Sequence, residues 1–211
     1  MIAVTLPMLE VVILAAGFSS RFGGPKALAR VRGVTLLRRT VSLAARLSPA
    51  PIIVVIPRQA ASYRIEVRGL TVRFAENRRR AEGLSSSVQR GIARARYSSA
   101  LLLLPVDLPG LKYRDLSRLV SHWRMARRCV IARRIGENDE TPRGGVPLIL
   151  PRWLYTRARG VRGDIGLRDF VRSLEPGQRV LLNLPSAALD VDTPNDLRAA
   201  RRRATRSGAA V

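Results

Sequence analysis

Glu10-Val11-Val12-Ile13-Leu14-Ala15-Ala16-Gly17-Phe18-Ser19-Ser20-Arg21-Phe22-Gly23-Gly24-Pro25-Lys26 is the stretch on which the reading of this chain turns. Its first part, Glu10–Ala16, reads as a short buried strand in which Val11, Val12, Ile13 and Leu14 are continuously apolar, as expected of a strand covered on both faces in a parallel sheet. Its second part, Gly17–Pro25, is a loop holding three glycines. Glycines let backbone N–H groups close on an anion. Arg21 and Lys26 add positive charge to the same place, arginine as a two-pronged fork and lysine as a point charge. The spacing matches neither the Gly-Lys-Ser/Thr phosphate loop nor the GxGxxG dinucleotide fingerprint. Taken alone, the loop also reads as a glycine-rich strand-to-helix turn with two exposed bases. Lysine at position 26 speaks against that blander reading, because only two of the 38 basic residues are lysines, Lys26 and Lys112.

Working outward, buried-strand runs recur at Pro51–Ile56, Ala100–Val106, Cys129–Ala132, Pro147–Leu150 and Val180–Leu184, with an alternating strand at Leu70–Phe74. Between them lie segments of helical spacing: Val34–Leu47, Ala81–Tyr97, Tyr113–Arg127, Ile165–Leu174 and Pro194–Thr205. Alternation of strand and helix predicts an α/β fold, a single-domain three-layer α/β/α sandwich on a mostly parallel sheet. Residues 1–200 are expected to form that domain, and the basic, small-residue tail 201–211 to fray. In such sheets ligands sit beyond the carboxyl ends of the strands, so the residues just after each strand matter most.

The bulk numbers set limits. The 211 residues fit one α/β domain with a real core. No run approaches the roughly 20 apolar residues that span a bilayer. Position 129 holds the single cysteine, which leaves no intrachain disulfide framework and no cysteine zinc cluster. With no signal-peptide pattern, these features lead to the expectation of a cytoplasmic protein that does not engage a membrane. The net charge of +23 would draw anions of any kind. Its arginines are spread along the whole chain, aromatic residues make up 5%, and no nucleic-acid motif is present, which argues against an RNA or DNA reader.

Asp107 emerges directly from the apolar run ending in Pro105 and Val106. A carboxylate in that position is costly unless paired or bound to metal. With 15 acids in the chain, an acid here has chemical weight, although a helix cap or a turn before Pro109 is the structural alternative. Magnesium favours one or two carboxylates together with substrate phosphates and waters, and Asp107 and Asp192 can supply them. Asp192-Thr193-Pro194 is equally a good helix start, so one of Asp190 and Asp192 can cap while the other binds metal. Ser85, Ser86 and Ser87 offer hydroxyls to a ligand or form a plain first helical turn.

In chain order, six short segments carry a family pattern: Leu14–Lys26; Gly83-Leu84-Ser85-Ser86-Ser87; Pro105-Val106-Asp107-Leu108-Pro109; Gly144-Gly145-Val146-Pro147; Gly163-Asp164-Ile165-Gly166; and Asp190-Val191-Asp192-Thr193-Pro194-Asn195-Asp196. Together they resemble the MobA-like NTP transferases, over roughly Val11 to Leu197. Ala16 resembles the branch that makes the molybdopterin cytosine dinucleotide more than the guanine branch. The resemblance implies a Rossmann-like sheet of the nucleotide-diphospho-sugar-transferase type and a magnesium-dependent nucleotidyltransferase. It implies an NTP, with CTP favoured, as donor and molybdopterin as acceptor. A molybdenum hydroxylase would receive the product, and the chain would be a monomer or weak dimer. Carried over by position, the nucleotide-binding residues are Leu14, Ala15, Ala16, Gly17, Ser19, Ser20, Arg21, Lys26, Asn77, Gly83, Ser86 and Ser87. Arg21, Lys26 and Asp107 are catalytic, Asp107 and Asp192 hold Mg2+, and Asp190, Asp164, Gly145 and Pro147 are secondary candidates. Arg78-Arg79-Arg80 departs from the family, which usually has proline and an aromatic residue there. Guanylyl transfer to molybdopterin, an NTP:sugar- or polyol-phosphate transfer, and a non-catalytic cofactor-delivery protein are the remaining alternatives.

Overall fold

The apolar run at the N-terminus forms β1 (Leu9–Leu14), every residue of which is buried. Because side chains alternate along a strand, Val11 and Ile13 enter one core while Val12 and Leu14 enter another on the opposite face. A strand with two apolar faces needs helices on both, and this computed structural model has them. It describes residues 8–47, 50, 52–95, 98–133, 146–163 and 165–207.

In chain order the elements are β1, β2 (Arg30–Val31), β3 (Val34–Thr35), α1 (Leu36–Ala45), β4 (Ile52–Pro57), α2 (Ala61–Glu66), β5 (Val72–Asn77) and α3 (Leu84–Arg94). They continue through β6 (Ala100–Pro105), α4 (Tyr113–Ala126), β7 (Cys129–Arg133), β8 (Leu148–Pro151), α5 (Tyr155–Arg159), α6 (Ile165–Arg172), β9 (Arg179–Asn183) and α7 (Pro194–Ser207). Seven strands make one sheet in the order β5-β4-β1-β6-β8-β7-β9, and β2 and β3 form a separate hairpin. β1 runs parallel to β4 and β6 with Val12 opposite Ile53 and Leu103. Among the described strands of this sheet, only β8 runs against its neighbours, β6 and β7. The mostly parallel three-layer α/β architecture is thus as the alternation predicts.

One face is covered by α1 and α4, through Leu37, Val41, Leu116, Leu119 and Trp123. The other is covered by α3, α5 and α6, through Val88, Ile92, Tyr155, Ala158, Leu167 and Phe170. Helix α3 lies so close to β1 that a Cβ at Gly91 would stand 2.6 Å from Val12 Cγ1, which is why glycine occupies that position.

The chain moves from β1 outward to β4 and β5, then returns across the sheet to β6 on the far side of β1. The loops leaving β1 and β6 therefore diverge, and the crevice between them is where α/β sheets hold ligands.

Two local expectations shift. The helix expected from Val34 begins at Leu36, because Val34 pairs with Val31 in the hairpin and Thr35 Oγ1 accepts from Arg38 N at 3.2 Å as the cap. The tail expected to fray from Arg201 is helical through Ser207. Leu197 and Ala200 are buried, Ala204 packs against the same cluster, and Arg201 Nε donates to Arg30 O at 3.0 Å. Those contacts tie the helix to the hairpin.

Candidate functional site

Beyond β1, Ala15 N still donates to Val55 O at 2.9 Å, so the strand's register holds Ala15 and Ala16 in the core. Gly17 then faces open space: a Cβ there would meet nothing within 4 Å. Ser19 adopts a left-handed φ of 57°, and a short 3-10 turn at Ser20–Phe22 carries Arg21 outward. A second such turn, Lys26–Leu28, is pinned by buried Ala27. With that anchor inward, the Lys26 side chain is only 11% exposed.

Lys26 Nζ donates to Asp107 Oδ2 and to Asp192 Oδ1, each at 2.9 Å. Arg21 pairs with the other oxygen of Asp192 at 2.7 Å. Asp107 lies between buried Val106 and Leu108, two residues past the end of β6. Val191 N donates to Asp107 O at 2.9 Å, which ties the C-terminal acid segment to the β6 loop. Val191 itself is buried with Val31, Leu36, Leu197 and Ala200. Around that inward residue Asp190 and Asp192 share a side, and Asp107, Asp190 and Asp192 each offer a carboxylate oxygen within 4.8 Å of the others.

The electrostatics follow from this crowding. Two carboxylates about 4 Å apart repel by about 4 kcal/mol at an effective dielectric of about 20, so a group of three needs cations. Burial pulls the Lys26 ammonium down, but the Asp107 charge and the hydrogen bonds to both acids outweigh it and hold Lys26 above its ordinary value. Burial pushes Asp192 up, while the Lys26 hydrogen bond and the charges of Lys26 and Arg21 bring it below the usual carboxylate range. Both partners stay charged at neutral pH.

Neither Asp190 nor Asp192 caps α7. Thr193 does so: its Oγ1 accepts from Asp196 N at 3.3 Å, while Asp196 Oδ2 accepts from Thr193 N at 2.8 Å. Capping falls to Thr193 and Asp196, while Asp192 is engaged by Lys26 and Arg21.

The serine segment is built differently. Asn77, at the end of β5, is 3% exposed, and its Nδ2 donates to Ser86 Oγ at 2.8 Å and Ser87 Oγ at 3.0 Å. Its Oδ1 accepts from Arg79 N at 2.9 Å. Gly83, at φ 81° and ψ −169°, makes the entry to α3 in a conformation closed to other residues. Asn77, Ser86 and Ser87 thus satisfy one another in the protein interior. Across from them, the Arg80 guanidinium stacks 3.9 Å above the ring of Phe18, so the departure loop meets the glycine loop. A groove of about 750 Å3 beside β5 and α3 is lined by arginines, among them Arg64, Arg78 and Arg90, together with Glu76, Asn77 and Ser86, and does not include Asp107, Asp190 or Asp192. Pro147 O accepts from Ala132 N at 2.9 Å, a ladder contact between β7 and β8. Gly145 and Asp164 lie outside the described residues.

A cleft of this kind, at a sheet's topological switch point with bases and carboxylates converging on it, is the ligand-binding crevice of an open α/β sheet. The chain belongs to the MobA-like NTP transferase domain family, which matches residues 11–179. That match ends before Asp190 and Asp192, which enter the site through the geometry. Nicotine blue oxidoreductase from Paenarthrobacter nicotinovorans is 30% identical over 169 residues, 79% of this chain and 83% of that protein. A nucleotidyl transferase from Methanothermobacter thermautotroptrophicus superposes with a TM-score of 0.79 at 25% identity, covering 95% of this chain and 99% of that one. The manganese complex of Rv0371C from Mycobacterium tuberculosis H37Rv gives 0.71 at 22% identity over 94% and 100% of the two chains. Among the described residues no helix is long and apolar enough to cross a membrane.

The donor set suits a hard divalent cation: three carboxylates converge, and neither imidazole nor thiolate joins them. The thiol of Cys129 is fully buried, and that burial pushes it up to about 12. His122 lies on α4, its Nδ1 2.8 Å from Arg118 O.

Proposed function

We propose that this chain is a molybdopterin cytidylyltransferase of the cytoplasm: it transfers CMP from CTP to the terminal phosphate of molybdopterin and releases pyrophosphate, with Mg2+ as cofactor. The observation that carries the reading is the convergence of Lys26, Arg21, Asp107, Asp190 and Asp192 at the end of β1 and β6. The residues Leu14–Lys26 cradle the triphosphate, and Gly17 leaves room for it to approach the backbone. Arg21 and Lys26 neutralise the charge that builds as the bond to the leaving group breaks. Asp107, Asp190 and Asp192 would hold the divalent ion, which would supply charge neutralisation on the phosphates.

An oxygen of the acceptor's phosphate forms a new bond to the α-phosphorus as the α–β bridging bond breaks, and the bonding pair leaves with pyrophosphate. No covalent enzyme intermediate is needed; positioning does the work. Ala16 supports cytosine over guanine as the base, by resemblance. The product would pass to a molybdenum hydroxylase, and residues 1–200 would make up the catalytic domain.

Pyrophosphate release with Mg2+ and molybdopterin, compared across CTP, GTP, ATP and UTP, tests this directly. Turnover with CTP is expected. Preference for GTP would keep the mechanism and overturn the base. Silence with all four would overturn the transfer to molybdopterin, and sugar phosphates would then be the acceptors to try.

A second reading draws on the relative named nicotine blue oxidoreductase. In it the same cleft holds a reduced nicotinamide nucleotide that delivers hydride to an aromatic dye. Acceptor-dependent oxidation of NADH or NADPH by the purified chain would favour it; none would set it aside.

A further inference from the structure

The proposed reaction asks Lys26 to face phosphate, yet in this structure it faces carboxylate. Two of its three ammonium donors go to Asp107 Oδ2 and Asp192 Oδ1 at 2.9 Å. Those carboxylates belong to the group of three whose oxygens lie within 4.8 Å of one another. Arg21 takes the remaining Oδ2 of Asp192 at 2.7 Å. An ammonium and a divalent cation seek the same hard oxygens and repel each other, so the two compete for Asp107 Oδ2 and Asp192 Oδ1.

We propose that Lys26 is an exchangeable internal counter-cation that makes metal entry depend on nucleotide entry. Without nucleotide, Lys26 and Arg21 neutralise the acids and oppose a divalent ion. A bound triphosphate offers both side chains stronger anionic partners, and their departure opens the carboxylates. Metal and nucleotide are therefore positively coupled, each raising the affinity for the other, and Lys26 is the side chain through which the coupling runs. This inference rests on the nucleotide reading of the site.

The choice of residue fits the role. Arginine would grip a carboxylate through a planar fork, while lysine is a point charge on a flexible stem that moves between partners more readily. The chain uses lysine at two of 38 basic positions, and one of them is here. The backbone beneath is fixed by buried Ala27, so exchange needs only the side chain to turn. Arg21 is poised to follow, with 73% of its side chain exposed.

The test is Mn2+ binding by the full chain, read from the electron paramagnetic resonance of free Mn2+, with no acceptor present. Without nucleotide, K26M and K26Q are expected to bind Mn2+ at least about tenfold more tightly than the unaltered protein, because the competing ammonium is gone. Adding D107N to either variant should abolish that gain. Equal or weaker Mn2+ binding by K26M and K26Q, with unchanged circular dichroism and melting temperature, would overturn the inference. Should both variants fail to fold, the 15N resonance of the Lys26 ammonium in the unaltered protein decides. It is expected to shift with Mg2+ and CTP together and to stay in place with Mg2+ alone; a shift with Mg2+ alone overturns the proposal. Failure of the underlying reading looks different: the unaltered protein would then bind neither CTP nor Mn2+, separately or together.

Discussion

Two segments that resemblance assigns to the same nucleotide are put together in opposite ways. The cluster of Lys26, Asp107 and Asp192 is charged, long-range and partly open to solvent, its side chains 11%, 22% and 30% exposed. The knot of Asn77, Ser86 and Ser87 is neutral, local and nearly buried, with Asn77 and Ser86 at the wall of the groove beside α3. Charged partners at a solvent boundary can trade one ion for another at modest cost. Neutral donors and acceptors that satisfy one another in the core cannot turn to a ligand without leaving something unpaired. The first is built to exchange, and the second to hold β5 against the start of α3.

The comparison is broken most sharply by Asp107→Asn. The amide keeps the shape and an acceptor for Lys26 but loses the charge. Turnover is expected to fall by roughly a thousandfold, with the melting temperature nearly unchanged. A variant with full activity would remove Asp107 from the reaction.

Asn77→Ala should show the reverse profile. It strips Ser86 and Ser87 of a donor and Arg79 N of an acceptor, all in or near the core. Leaving such groups unpaired costs about 2–3 kcal/mol, or about 5–10 °C for a chain of this size. If Asn77→Ala instead left stability untouched and raised KM for the nucleotide, the knot would be a ligand-binding element after all.

Next in size is Gly91→Ala. Alanine gains about 1 kcal/mol of helix propensity over glycine, but its Cβ would press on Val12 Cγ1 from 2.6 Å. Overpacking costs about 1–3 kcal/mol, so a net loss is expected in chemical denaturation. Adding Val12→Ala should make Gly91→Ala favourable, because only the propensity gain remains.

How much of this was readable beforehand depends on the range of the signal. β4 and β6 announce themselves because six consecutive buried residues leave an unbroken apolar run, and β1 does so through Val11–Leu14. The two-residue strands β2 and β3 carry no such pattern; their turn, Arg32 and Gly33 with φ of 53° and 77°, is written in a single glycine. α2 and α5 are six and five residues long, too short for a helical period to emerge. At the site, the acids and bases could be named from sequence, but not paired. Lys26 and its carboxylates are 81 and 166 residues apart, and only the sheet order brings them together. The one local hint was chemical: a lysine where nearly every other base is arginine. For Asn77 and its serines the sequence leaves the role open, since a hydroxyl satisfied within the fold and one offered to a ligand have the same sequence.

The smallest expected effect concerns the boundary between the cluster and α7. Thr193 and Asp196 cap that helix reciprocally, and the cap leaves Asp192 to the charged cluster. Thr193→Ala is expected to cost about 1 kcal/mol at neutral pH. The hydroxyl and backbone N–H of Thr193 hold the Asp196 carboxyl below its ordinary 3.8. A group whose folded value is lowered stabilises the fold above its unfolded value and loses that effect as pH falls through the folded one. The stability gap between the unaltered protein and Thr193→Ala should therefore be constant above pH 3.8 and narrow below it. A gap that stays constant down to strong acid would mean that the hydroxyl acts on the helix without Asp196. A fall in metal affinity in the same variant would mean that the cap also holds Asp192 in place, and that the boundary between architecture and exchange runs through Thr193.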